Sequence, residues 1–282
     1  MTLQHLPPWR GDFSKNSPMF EPMAPLLAHF SRFSGWPGLD DFQAFLDEWP
    51  KPIQTLTGKP LSIVEQAGKP SSFEEHYAPR IYTSGEIQTR RENWHDFFQY
   101  LTWFMFPETK AQINAIHIPH ARARIASGHA LGRRTPVENT LSLFDEGGAL
   151  LVSSDEKLLD MVRNFQWKTL FWDNRTLLAE RFECITFGHA MYEKGLVPYV
   201  GMTANTILLH CPSSFHDQSW EDKWHWLDRQ LAIIFSEGKR FQQPKDLQPF
   251  PILGMPGWDR ANSDEAYYDN QHYFRPGRGG KG

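Results

Sequence analysis

Side chains capable of acid–base chemistry recur inside one of the most apolar stretches of the chain, ENWHDFFQYLTWFMFPETKAQINAIH. Asn93, His95 and Asp96 stand together near its start, and Lys110, Asn114 and His117 follow at steps of four and three residues. An imidazole in the first turn of a helix meets free N–H groups that favour its neutral form, so His95 is a candidate general base. Asp96 is a candidate catalytic partner. Asn93 suits a helix N-cap and is also placed among the substrate contacts. An ammonium, an amide and an imidazole on one helical face, Lys110, Asn114 and His117, are suited to holding a phosphate or carboxylate.

Three further groups add to this set. Asp145 and Glu146, in FDEGG, are paired carboxylates at what reads as a β-turn and are candidates for binding a metal or for acid–base work. His189 and Glu193, in FGHAMYEKG, are four apart, the spacing of two metal ligands on one helical face, but the second histidine of an HExxH pattern is missing. Arg122, Arg124, Arg133 and Arg134 crowd a basic segment, PHARARIASGHALGRRTPV, and Arg133 and Arg134 are the candidate anion contacts there. Each group has a plainer reading as a cap, a solvated helix face or a turn. What joins them is polar groups recurring in aromatic segments, where an unpaired buried polar group costs about 1–3 kcal/mol.

The elements that must position these residues follow from periodicity. Trp94 to Phe106 reads as a helix that Pro107 interrupts, with a second helix starting at PETKAQINAIH. HYAPRIYTSGEIQTR reads as a hairpin around Ser84-Gly85, and LSLFDEGGALLVS as a second one around Glu146-Gly147-Gly148. EDKWHWLDRQLAIIF is amphipathic with a helical period, closed by Gly238. The segment from Phe241, rich in proline, glycine and aromatics, is expected to pack in extended form over the body. The resulting expectation is an α+β class: one mixed domain over 19–276, mainly helical with short β-hairpins and an extended aromatic C-terminal tail, preceded by a surface arm at 1–18 and followed by a flexible tail at 277–282.

Composition restricts the functions. Net charge is -4 over 282 residues, which disfavours non-specific binding to nucleic acid or anionic membrane. Cys184 and Cys211 form no CxxC pair, no apolar run approaches a bilayer span, and MTLQHLPPWRGDF has no apolar signal core, so a cytoplasmic protein is expected. No GxGxxG, P-loop, GxSxG or HExxH pattern occurs, so neither a nicotinamide cofactor nor a P-loop nucleotide is indicated, while a divalent metal stays open.

ENWHDFFQYLTWFMFPETKAQINAIH, TLSLFDEGGALL, FGHAMYEKGLVPYVGMTANTILL and PFPILGMPGWDRANSDEAYYDNQHYFRP, in this order and spacing, resemble the successive blocks of the bacterial family DUF3025. The resemblance covers roughly residues 75 to 276. It implies a bacterial cytoplasmic protein and brings no activity, cofactor or catalytic residue with it. From residue types the leading expectation is a hydrolase-like enzyme acting on a small polar or phosphorylated substrate. His95 would be its base, Asp96 or Asp145 the orienter, and Lys110 or an arginine the oxyanion stabiliser. The alternative is a non-catalytic protein that binds an anionic ligand or structured RNA through its arginines. Oligomeric state is not legible.

Overall fold

A computed structural model describes residues 6–66, 68, 70, 72–127 and 134–277. The fold is mixed α+β and mostly helical, as expected. Of the flexible tail expected at 277–282, residues 278–282 lie outside the described residues, as do the first five residues of the chain.

The N-terminal segment is no surface arm in its described part. Trp9 and Phe13 are buried, Trp9 stacks on Trp94 at 5.2 Å, and the Trp94 indole donates to the Pro7 carbonyl at 2.8 Å. Aromatic faces of this size remove enough apolar area to hold a segment that has little regular structure of its own. Two short helices follow, α1 (Ala24–Phe30) and α2 (Leu39–Asp47). Strand β1 (Ser62–Glu65) pairs in parallel with β2 (Glu86–Thr89).

The first expected hairpin is absent because α3 (Tyr77–Ser84) occupies its first arm. Gly85, at φ 79°, is the left-handed residue that closes this helix, so the turn signal in the sequence was a helix stop. The second expected hairpin is absent for a similar reason. Pro136 opens α6 (Pro136–Gly147), with Thr135 and Glu138 as a reciprocal capping box: Glu138 N donates to Thr135 Oγ1 at 3.2 Å, and Thr135 N donates to Glu138 Oε2 at 2.8 Å. Asp145 and Glu146 therefore lie in the last turn of a helix, and β3 (Gly148–Ser153) starts directly after it.

Between these come the two helices of the opening segment. Helix α4 (Trp94–Met105) is buried on nearly all sides, as expected of a helix apolar around its circumference. Asn93 caps it, accepting from Asp96 N at 3.1 Å. The chain breaks at Phe106, and Pro107 starts α5 (Pro107–Ala126).

Strand β3 is wholly buried at the centre of a four-stranded sheet. After it come α7 (Glu156–Arg163), α8 (Arg175–Arg181), β4 (Phe182–Thr186), α9 (His189–Gly195), β5 (Thr203–His210), α10 (Trp220–Ser236) and β6 (Gln248–Pro251). The strand order is β4-β3-β5-β6, with β3 and β5 parallel and the other two pairings antiparallel. Helices separate every pair of adjacent strands in sequence, so pairing is non-local throughout. From α10 the Asp228 carboxylate accepts from Glu108 N at 2.9 Å and Thr109 N at 2.8 Å, which anchors the start of α5. The aromatic C-terminal segment packs on the body, but through short 3-10 turns at Ile252–Gly254, Arg260–Ser263 and Glu265–Asp269 rather than in extended form: Tyr268, Tyr273 and Phe274 are buried, and the Tyr273 hydroxyl donates to the Met202 carbonyl at 2.7 Å.

Candidate active site

Three helices present polar stripes to one another. On α4 the stripe is His95, Gln99 and Trp103; on α5 it is Lys110, Asn114 and His117; on α6 it is Glu138, Ser142 and Asp145. Steps of three and four residues put each set on one face. Between them lies a cavity of about 310 Å³, within the size range of small-molecule sites. Tyr77 from α3, His76, Arg124, Arg134, Glu146 and His189 add to its polar lining.

The junction of α6 and α9 brings His189 to this cavity. Gly188 packs against the Glu146 carbonyl so closely that a Cβ would overlap it, and Gly188 N donates to the Gly148 carbonyl at 2.9 Å. A glycine is needed for that approach. It sets the first residue of α9 beside the last turn of α6, with His189 Nδ1 at 3.9 Å from Asp145 Oδ2.

On the cavity floor Lys110 Nζ donates to Asp145 Oδ1 at 2.5 Å, and the same ammonium stands 5.6 Å from the Trp103 ring centre. The Lys110 side chain is only 4% exposed. Burial pushes the Asp145 carboxyl up, but the Lys110 ammonium and His189 beside it outweigh this and hold it below the ordinary carboxylate value. Burial drives His189 down to about 3 and His117 down to about 4, so both are neutral at pH 7.

His95 joins the floor to the outside. Its Nδ1 lies 3.0 Å from Glu193 Oε2, and its Nε2 lies 3.1 Å from His189 Nε2, with the two rings edge to face at 87°. Hydrogen-bond logic assigns the tautomers. A carboxylate only accepts, so His95 Nδ1 carries the proton and His95 Nε2 is bare. His189 Nε2 must then donate to it, which leaves His189 Nδ1 bare. That nitrogen is buried and makes no hydrogen bond of normal geometry among the described residues. Asn114 is similar: its Nδ2 donates to the Ala78 carbonyl at 2.9 Å and its Oδ1 is buried without a partner among the described residues. Buried polar atoms left open beside a cavity are what a polar ligand would satisfy.

The matching family model is the protein of unknown function DUF3025, over residues 61–278. The chain belongs to the DUF3025 family. No curated protein and no solved structure shows significant similarity to it. For this DUF3025 member the fold thus gathers most of the residues singled out by their types: His95, Lys110, Asn114, His117, Arg134, Asp145, Glu146 and His189 all line one cavity.

The others are placed differently. Asp96 does not line the cavity; its carboxylate accepts from Arg90 N at 2.7 Å and from Arg90 Nε and Nη2 at 2.9 and 2.7 Å, closing the turn between β2 and α4. Asn93 is spent on the cap. Glu193 is turned toward His95 rather than toward His189, so it replaces Asp96 as the partner of the imidazole. Among the described residues no three His, Cys, Asp or Glu side chains are arranged to hold a metal ion.

Of the described arginines of the basic segment in this DUF3025 chain, Arg124 and Arg134 line the cavity and Arg122 does not. The segment read as a basic loop is helical as far as Ala126, Arg124 pairs with Glu138 at 2.9 Å, and Arg122 lies 5.9 Å from the Phe73 ring centre. Arg133 falls outside the described residues. Gln99, Trp103, Glu138 and Ser142 were missed by the reading of the sequence. The signal was there in their spacing, four and eight residues after His95, and seven and three residues before Asp145.

Proposed function

We propose that this cavity is the catalytic site of an enzyme that performs acid–base chemistry, of the hydrolytic kind, on a small polar or phosphorylated molecule. The observation that carries the reading is the Glu193–His95 pair, 3.0 Å apart, at the wall of a polar cavity that fits a metabolite. His95 is the proton acceptor at Nε2, which a substrate reaches by displacing the resting contact with His189. Glu193 holds its ring in one tautomer and stabilises the imidazolium that forms, which is the role of the carboxylate in triad chemistry. Lys110, neutralised in the resting protein by Asp145, is placed to stabilise negative charge that develops on a substrate, and Arg134 at the mouth is placed to meet an anionic group.

A ligand screen tests whether the cavity binds anything. Small carboxylates, phosphate monoesters, amino acids and sugars are tested by thermal shift against the wild type and against Ser142→Phe, which fills the cavity from a half-buried position. Compounds of at least one class are expected to raise the melting temperature of the wild type and not that of the variant. Equal shifts in both proteins would place binding elsewhere and end this reading.

A further inference from the structure

Glu193 faces two spaces. One side of it holds His95, at the wall of the large cavity. The residue also lines a separate, more open groove of about 150 Å³ with Leu6, Ala190, Lys194 and Val197, and its side chain is 26% exposed. The groups between the groove and the cavity floor form a series: Glu193 Oε2 to His95 Nδ1 at 3.0 Å, His95 Nε2 to His189 Nε2 at 3.1 Å, and His189 Nδ1 to Asp145 Oδ2 at 3.9 Å. We infer that Glu193, His95, His189 and Asp145 form a proton relay that connects the floor of the cavity to solvent through the back of the protein.

The relay rests on the acid–base reading of the cavity and gives His189 and Glu193 roles in it. The steps balance. A proton released by a substrate at the cavity floor is taken up by the Asp145 carboxylate at Oδ2 and passes on to the bare Nδ1 of His189. The Nε2 proton of His189 passes to the bare Nε2 of His95. The Nδ1 proton of His95 passes to Glu193, which then loses it to water in the groove. Two N–H bonds form and two break, one O–H bond moves from Asp145 to Glu193, and each ring ends in its opposite tautomer. The reverse sequence resets the chain.

Only the last gap, 3.9 Å, exceeds hydrogen-bond length, and rotation of the Asp145 carboxylate about its side-chain bonds can close it. The charged groups that face the relay are Lys110 on Asp145, and Arg90, whose charge is felt at Glu193. His117 also acts on Asp145. A bound ligand that plugs the cavity mouth would cut the floor off from bulk water, and the relay keeps proton exchange open behind it.

Coupled tautomers are the signature, and they need no substrate to be read. Long-range proton–nitrogen correlation spectra of protein labelled with ¹⁵N-histidine at pH 7 are expected to show His95 protonated at Nδ1 and His189 protonated at Nε2. In Glu193→Leu, His95 loses its acceptor. Its proton should move to Nε2, and His189 should then be protonated at Nδ1, facing Asp145. Glu193→Gln, which still offers an accepting oxygen, should keep the wild-type tautomers. A wild-type His189 protonated at Nδ1, or a His189 tautomer that ignores Glu193→Leu, would overturn the relay. Either result would leave the cavity reading standing on its ligand screen, and an empty screen would not alter the spectra, so the two failures are distinguishable.

Discussion

Replacing Asp145 with alanine is expected to cost about 3–5 kcal/mol of stability at neutral pH, the usual penalty for breaking a buried ion pair from one side. The reason is Lys110. Its side chain is 4% exposed and its ammonium donates to Asp145 at 2.5 Å. The Trp103 ring face remains after the substitution but cannot replace a full negative charge. The protein must then bury an unpaired cation or shed the proton of Lys110, and both are costly. Lys110→Met combined with Asp145→Leu removes both charges while keeping volume, and it should recover most of the loss. Urea unfolding of the three proteins measures this. A single variant within about 1 kcal/mol of wild type would mean that Lys110 finds water or another anion, contrary to the floor described above.

The second large effect is on the pH dependence of stability. His189 and His117 are held by burial at about 3 and about 4, against an ordinary value of 6.5. Between pH 6.5 and 4 the unfolded chain therefore binds protons at these two sites that the folded protein refuses. Stability is fully present above pH 6.5 and falls on acidification, by about 1.4 kcal/mol per pH unit for each histidine. Asp228 acts in the opposite sense. Burial raises its carboxyl to about 6 despite the helix N–H groups it accepts from, so its contribution grows as pH falls below 6. Wild-type stability should decline from pH 6 to 4.5 with roughly the slope of one net group. In His189→Gln and in His117→Gln that slope should drop by about 1.4 kcal/mol per pH unit, and in Asp228→Asn it should steepen by the same amount. Urea titrations at pH 7, 6, 5 and 4.5 read the slopes directly. Unchanged slopes in both histidine variants would show that these rings titrate freely in the folded state.

Much of the candidate site could be read from residue types, because helical spacing alone places Lys110, Asn114 and His117 on one face. The partner of His95 could not. Asp96 is next to it in sequence, but successive residues on a helix point about 100° apart, and Asp96 is drawn instead to Arg90. The partner that is near in space, Glu193, comes from a helix almost a hundred residues later, placed by the contact between Gly188 and the end of α6. The two misread hairpins share one cause. Short segments of alternating polarity that end in glycine fit a strand or a helix equally well, and at Gly85 and Gly147 the glycine marks the end of a helix rather than a hairpin turn. The pairing order of the sheet was not legible, since every pairing of β3, β4, β5 and β6 spans at least one helix.

The central claim is that the cavity turns over a small molecule through His95. The direct measurement is to incubate the pure wild-type protein, His95→Ala and His189→Ala with a total extract of bacterial metabolites and follow depletion by mass spectrometry. His95 is a surface-facing ring, 30% exposed, so its removal should leave the melting temperature nearly unchanged. At least one small polar metabolite should be consumed by the wild type, with the rate falling by about 10²–10⁴-fold in His95→Ala. If no metabolite is depleted, or if depletion proceeds equally well without His95 and His189, the cavity is not a catalytic site.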